Sequence, residues 1–161
     1  MKEGNRSSSH FLAKTADDPR PALMGEMKRR IPDWGSIVVY NKGFEGPILK
    51  QLGESFPGYR EWLDSLAPRL EDLWEPFKKF HYYHPEQRGS ASMKHVLPAV
   101  TGRSYEGMEI ADGETASVLY WNVTHGPAPE AERQKVYSDL EKYCGLDTDG
   151  MRSIVEKLKS I

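Results

Sequence analysis

Short apolar runs separated by glycine, proline and charged residues predict that strands and helices interleave along this chain. The uninterrupted apolar run at 36–40, between Gly35 and Asn41, predicts a strand buried on both faces. Helical spacing at 44–52 follows it directly. The aromatic-rich run at 77–83 predicts a second strand, and 10–13 predicts a short edge strand. The pattern therefore indicates an α/β class with a mostly parallel sheet.

Most of the remaining apolar positions recur with helical spacing, so the chain is predicted to be rich in helix. Asp18 and Pro19 are suited to begin a helix that ends at Pro32. Further helices are predicted at 60–73, 93–97, 113–122, 129–144 and 151–158. Pro98 is expected to end the helix at 93–97, and Gly145 is expected to separate the last two helices.

The composition fits one globular domain with a polar N-terminal extension. The 161 residues are 38% hydrophobic and 29% charged, without an internal repeat. The polar stretch 1–9 predicts a disordered N-terminal tail, and 10–161 predicts the domain itself.

Several protein classes are disfavoured by the sequence. One cysteine excludes an internal disulfide and a cysteine-rich zinc site. No apolar run approaches the roughly 18 residues that a bilayer span needs. The first residues lack the apolar centre of a signal peptide. The expectation is a cytoplasmic protein of bacterial type that makes no membrane contact.

Charge is unevenly distributed although the net charge is only −2. Residues 36–75 contain seven Asp/Glu and four Lys/Arg, whereas 76–103 contain five Lys/Arg, three His and one Glu. An acidic segment beside a basic one fits a metal site next to a phosphate-binding surface. Ordinary variation of surface charge remains the alternative.

Two acidic positions are candidates for chemistry. Glu45 begins the helix that follows the 36–40 strand, and ligands of α/β sheets collect at the carboxyl ends of strands. Tyr143 and Asp147 have helical i, i+4 spacing, which sets phenol and carboxylate side by side. The alternatives are a surface charge that favours the helix N-terminus for Glu45, and a helix cap for Asp147.

Candidate substrate contacts lie in the basic segment. Tyr82 and Tyr83 could stack on bases if exposed, although aromatic residues more commonly pack in a core. Lys94 lies in the first turns of a predicted helix, where a phosphate can bind. His81 and His84 would point to opposite faces of a strand, which argues against a shared metal.

Several stretches taken together resemble one bacterial family, the domain of unknown function 2779, over roughly residues 10–160. That family is similar to DnaQ-like (DEDD) 3′–5′ exonucleases, which have an RNase H-like fold. The stretches are 18–20, 39–41 with 44–45, 69 with 72–73, 82–85, 89–90 with 93–94 and 96–98, 104–105, and 143–144 with 147–148 and 151.

The resemblance implies a two-metal nuclease that acts on the ends of DNA or RNA. It implies that Glu45 and Asp147 are catalytic acids and ligands of two Mg²⁺ or Mn²⁺ ions. Tyr143 would orient the attacking water. Asn41 would support the turn that carries Glu45 and contact the substrate, and Asp72 would be a secondary acidic position.

The Asp-x-Glu motif of such nucleases is not found upstream of Asp18. We therefore expect an RNase H-like domain truncated at its N-terminus, with a helix-rich remainder and weak or no activity. An upstream part of the same protein would supply the missing strands. The alternative is a non-catalytic nucleic-acid-binding or interaction module, in which the basic segment contacts phosphates and the acids are structural.

Overall fold

The computed structural model describes residues 7–161. Seven α-helices and two short strands lie in this part of the chain, with 3₁₀ turns at Pro57–Tyr59, Ala67–Arg69 and Pro85–Gln87. In chain order they are α1 (Arg20–Arg30), β1 (Ile37–Val39), α2 (Lys42–Ser55), α3 (Arg60–Leu66), β2 (Leu70–Asp72), α4 (Glu75–Lys78), α5 (Met93–Thr101), α6 (Gly113–His125) and α7 (Glu130–Leu158). The chain is therefore helix-rich with a small sheet.

The sheet consists of β1 and β2, which pair in parallel. Ile37 faces Leu70 and Val39 faces Asp72 in the register. A parallel pair needs a crossover connection, and α2 and α3 provide it. The strand predicted at 36–40 forms over Ile37–Val39, and the helix that follows it is confirmed. Its predicted burial on both faces is wrong, because Val38 is 39% exposed.

The second strand lies elsewhere than predicted. The run 77–83 is wrong as a strand, because α4 and a turn occupy it and Phe80 adopts a positive φ of 53°. The helix predicted at 60–73 ends at Leu66, and β2 takes residues Leu70–Asp72. Pairing with β1 overrides the helical spacing there, which is a tertiary effect. The short strand predicted at 10–13 does not form.

Two predicted helix breaks are also wrong. α5 runs through Pro98 to Thr101 and ends at Gly102, which has a positive φ of 74°. α7 is continuous across Gly145 over 29 residues. At Gly150 a Cβ atom would lie 3.0 Å from both δ-methyl carbons of Leu97, so this glycine permits the close approach of α5 and α7.

Three apolar clusters hold the elements together. The first joins α1, α2 and α3 through Met24, Leu52, Leu63 and Leu66. The second joins α4 and α5 to the C-terminal half of α7, with Phe77, Leu97 and Ile154 at its centre. The third packs α6 on the N-terminal half of α7. β1 thus ends between the first and second clusters, where Tyr40 packs against the second.

Two further predictions concern the termini and the membrane. Residues 7–9 of the predicted tail are exposed and outside any helix or strand, and 1–6 lie outside the described residues. Within 7–161, every helix is either too short or too polar to cross a bilayer.

Candidate functional site

A cleft of about 390 Å³ opens beyond the carboxyl end of β1. The β1–α2 connection forms one side, and α5 and α7 form the other. Its lining residues are Tyr40, Glu45, Ser92, Met93, Lys94, Tyr105, Tyr143, Asp147 and Met151. The two acids predicted from distant parts of the sequence therefore line one cleft, together with Tyr143 and Lys94.

Asp72 organises the turn that carries Glu45. Its carboxylate accepts hydrogen bonds from the backbone N–H groups of Asn41 (3.0 Å), Lys42 (2.9 Å) and Trp74 (2.9 Å). These donors include the first N–H of α2, so Asp72 caps this helix from the end of β2. Asp72 lies behind the cleft as a structural acid.

Asn41 adopts the left-handed conformation, with φ 83° and ψ 73°. Asparagine tolerates this region better than most residues, and here it allows β1 to turn directly into α2. Asn41 thus lies in the turn that supports Glu45, outside the cleft lining. Its predicted contact with substrate stays a prediction.

Glu45 carries an unpartnered oxygen. Its Oε2 atom is buried and has no hydrogen-bond partner among the described residues. Burial raises the pKa of the Glu45 carboxyl, and the negative charge of Asp72 raises it further. A buried carboxylate oxygen without a donor costs free energy, which a proton or a cation would relieve.

Asp147 is hydrogen-bonded by a phenol. It lies inside α7, one turn after Tyr143, so the helix-cap alternative for Asp147 is wrong. The hydroxyl of Tyr105 donates a hydrogen bond to Asp147 Oδ1. Burial raises the pKa of Asp147, although the Tyr105 hydrogen bond, the nearby Tyr143 hydroxyl and the charge of Lys94 act in the opposite direction.

The tyrosines around Asp147 form a connected group. The rings of Tyr105 and Tyr143 have centroids 5.9 Å apart. Burial and the nearby Asp147 charge raise the pKa of Tyr143 to about 12, and they raise the pKa of Tyr105 as well. The Tyr40 hydroxyl donates to the carbonyl of Ala91 at 2.7 Å. All three phenols therefore stay protonated at neutral pH and act as hydrogen-bond donors.

Tyr105 is the site residue to which sequence reasoning gave no role. It follows α5 in a loop, where no apolar period indicates the direction of a side chain. Residues 104–105 are among the stretches that carry the family resemblance, and this was the only feature of the sequence that pointed to Tyr105. Only the folded chain brings Tyr105 to Asp147.

The two tyrosines of the basic segment lie apart from the cleft lining. Tyr82 packs edge-on against Phe77, with ring centroids 5.8 Å apart, which is the core role left open as the alternative. Tyr83 is exposed and contacts the ring of Phe80. Lys94 is the predicted substrate contact that does line the cleft.

The cleft residues fit part of a magnesium or manganese site. Carboxylate oxygens are the ligands these ions prefer, and Glu45 and Asp147 offer them from opposite sides. Within 7–161, however, no three His, Cys, Asp or Glu side chains gather closely enough to hold a metal. These residues therefore do not make a complete two-cation site.

Comparison with known proteins identifies a family. No curated protein and no solved structure matches the chain. The family model described as "Domain of unknown function (DUF2779)" matches residues 1–92. This match begins earlier and ends sooner than the expected 10–160. It includes β1, Glu45 and Asp72, and it stops before Lys94, Tyr105 and Asp147. Since it covers more than half of the 161 residues, the chain belongs to the DUF2779 family.

Proposed function

We propose that this chain is the C-terminal part of a DnaQ-like 3′–5′ exonuclease domain with an RNase H-like fold. The observation that carries this proposal is that Glu45 and Asp147 line the same cleft at the carboxyl end of β1. Substrate and ligand sites of α/β sheets lie at this end of the strands. A basic side chain, Lys94, borders the same cleft and suits a phosphate.

The unpartnered oxygen of Glu45 supports a role for a cation. Glu45 Oε2 is buried without a donor, whereas Asp72, on the adjacent strand, has three. A carboxylate oxygen without a donor, on a residue that lines a cleft, suits coordination of a hard divalent cation. Asp72 has the contacts of a structural cap, whereas Glu45, in the first turn of α2, has one oxygen without a donor.

In this proposal Glu45 and Asp147 would hold Mg²⁺ or Mn²⁺. Such ions activate a water and stabilise the leaving 3′ oxygen of a phosphodiester. The remaining acidic ligands would come from outside the described residues, so hydrolysis by this chain is expected to be slow. Lys94 would bind a phosphate of the DNA or RNA, and the Tyr143 hydroxyl would orient the attacking water.

Tyr105 would act as a positioning residue. Its hydrogen bond to Asp147 Oδ1 orients the carboxylate on α7. The donor is neutral, so Asp147 keeps its full negative charge when it is ionised. A carboxylate prepared in this way needs little rearrangement to bind a cation.

The test is a 3′-degradation assay with excess protein, Mn²⁺ and a 5′-labelled single-stranded oligonucleotide. We expect slow, stepwise shortening from the 3′ end that Glu45→Gln and Asp147→Asn abolish. Asp149→Asn is the matched control, because Asp149 lies on α7 outside the cleft lining and pairs with Arg152 at 3.2 Å.

The outcome is decided by comparing the variants. If Asp147→Asn or Glu45→Gln shortens the oligonucleotide as fast as the unmodified chain, the assignment of these acids is wrong. The same conclusion holds if the unmodified chain neither degrades the oligonucleotide nor gains thermal stability from Mn²⁺ relative to Glu45→Gln.

A further inference from the structure

The segment after α4 carries an exposed aromatic pair, Phe80 and Tyr83. Phe80 is 64% exposed and Tyr83 is 45% exposed. Their ring centroids are 5.7 Å apart and their planes are inclined by 50°. Two large rings thus meet each other in solvent, outside the residues that line the acidic cleft. We propose that this pair is a stacking platform for the bases of a single-stranded nucleic acid.

The backbone conformation of Phe80 is strained, which a role in binding would explain. Its φ is 53°, in the left-handed region that large side chains rarely adopt. Glycine would make this turn without strain. The strained backbone and the exposed apolar ring of Phe80 each reduce the stability of the fold. Strained positions concentrate at functional sites. The fold keeps the ring of Phe80 in solvent, beside Tyr83.

The surroundings of the pair are rigid. Gln87 is 1% exposed, accepts a hydrogen bond from His84 N–H at 2.8 Å, and donates one to Ser90 O at 3.3 Å. Before the pair, Phe77 is buried, and Tyr82, which lies between Phe80 and Tyr83 in sequence, packs against the Phe77 ring. The aromatic pair thus lies between the buried residues Phe77 and Gln87, so little conformational entropy would be lost on binding.

The charge of the segment favours a polyanion. Lys78, Lys79 and Arg88 are exposed around the pair in the sequence, and Glu75 and Glu86 are the acids among them. Lys79 pairs with Glu75 at 2.9 Å, and Lys78 lies over the Trp74 ring. The longer segment 76–103 contains five Lys/Arg and only one Glu, although the net charge of the whole chain is −2.

Exposed rings with cations close to them in the sequence suit unpaired bases followed by phosphates. A duplex would offer the phosphates but would keep its bases stacked inside, away from Phe80 and Tyr83. An apolar peptide would use the rings but would gain nothing from Lys78 and Arg88. The platform goes beyond the proposed nuclease function, because it requires neither the cleft nor a metal.

The test is a titration of the full chain against fluorescent oligo(dT) and oligo(rU), measured by anisotropy with EDTA present. We expect the double variant Phe80→Ala/Tyr83→Ala to bind at least about tenfold more weakly, since stacking is lost for each ring. Phe80→Trp keeps a large ring at this position and should bind as tightly as the unmodified chain. Trp121→Ala is the matched control, because Trp121 is 62% exposed on α6, and this variant should bind as the unmodified chain does.

Salt dependence supplies a second readout. Neutralising Lys78 and Arg88 with glutamine should reduce the slope of log affinity against log salt by about one per lost phosphate contact. The proposal is overturned if the aromatic double variant binds as the unmodified chain does, if a duplex binds equally well, or if no single strand binds at low salt. Because the titration contains EDTA and the two rings lie outside the cleft lining, a failure of this binding is separate from a failure of the cation site.

Discussion

The two sides of the cleft present their acids in different ways. On the β1–α2 side, Glu45 leaves one buried oxygen without a donor, on a turn secured by Asp72. On the α5–α7 side, Asp147 is hydrogen-bonded by the phenol of Tyr105, with the Tyr143 hydroxyl nearby. The backbone turn before Glu45 is held in place, but one of the Glu45 carboxylate oxygens has no donor. For Asp147, in contrast, the carboxylate itself accepts a hydrogen bond.

This difference separates structural roles from roles in binding. Asp72 ends β2 and Glu45 follows the end of β1, yet only Asp72 has its carboxylate engaged by three backbone donors. The chain therefore uses Asp72 to build the turn and leaves one oxygen of Glu45 without a donor. On the opposite side, the neutral donor Tyr105 offsets part of the cost of burying Asp147.

Removal of Asp72 should give the largest effect. Asp72→Ala leaves three backbone N–H groups without their acceptor, and we expect the free energy of unfolding to fall by about 3 kcal/mol. Glu45→Gln, the matched change on the same side, should leave it unchanged or raise it slightly. Urea unfolding followed by circular dichroism measures both. Equal losses for the two variants would contradict the distinction between them.

On the other side, Tyr105→Phe tests the support of Asp147. Loss of a hydrogen bond to a charged group should lower the unfolding free energy by about 2 kcal/mol and raise the pKa of Asp147 further. The carboxyl carbon chemical shift of Asp147, followed against pH, reports that pKa. Tyr120→Phe, on α6, is the control and should leave it unchanged. An unaltered Asp147 pKa in Tyr105→Phe would show that the phenol is not its support.

Two glycines of α7 should respond in opposite directions. A Cβ at Gly145 meets nothing within 4 Å, so Gly145→Ala should stabilise the helix by about 0.5–1 kcal/mol. At Gly150 the new atom lies 3.0 Å from Leu97, and overpacking there should cost about 1 kcal/mol. Thermal unfolding of both variants measures this. Stabilisation by both would mean that α5 and α7 approach less closely.

The smallest expected effect is on pH dependence. The folded-state pKa values of Glu45 and Asp147 lie above their ordinary values of 4.5 and 3.8. As pH rises from those values through the raised ones, the unfolded chain releases protons first, so these two groups lower the stability. Each effect should be below about 1 kcal/mol, because both groups are partly solvated.

The variant Glu45→Gln/Asp147→Asn removes this contribution. Other acids have the opposite effect, since ion pairs or hydrogen bonds lower the pKa values of Asp18, Glu26, Asp112 and Asp139. The informative quantity is therefore the difference between variant and unmodified chain. That difference in unfolding free energy should grow in favour of the variant from pH 4 to 7, and a difference that stays flat would contradict the raised pKa values.

The sequence predicted one side of this cleft more fully than the other. Glu45 was found because a strand end followed by a helix start is encoded locally, within residues 36–52. The i, i+4 spacing of Tyr143 and Asp147 was also local, but the continuity of α7 through Gly145 depends on packing against α5 and α6. Glycine lowers helix propensity, and tertiary contacts overrode it here.

Elements whose identity depends on distant partners were predicted poorly. β2 has helical neighbours and becomes a strand because Leu70 and Asp72 pair with β1. The 77–83 run was predicted as a strand from its aromatic residues, yet those rings divide between the core and solvent around a left-handed Phe80. The role of Asp72 required both strands and the α2 turn together, and that of Tyr105 required α7.

The most direct test of the account is whether Glu45 and Asp147 act on one ligand. Substoichiometric Mn²⁺ added to the ¹⁵N-labelled chain should broaden the amide signals around both residues, and either Glu45→Gln or Asp147→Asn should diminish the broadening at both. Broadening confined to one side, or unaffected by either substitution, would contradict the claim that the two acids share a cation site.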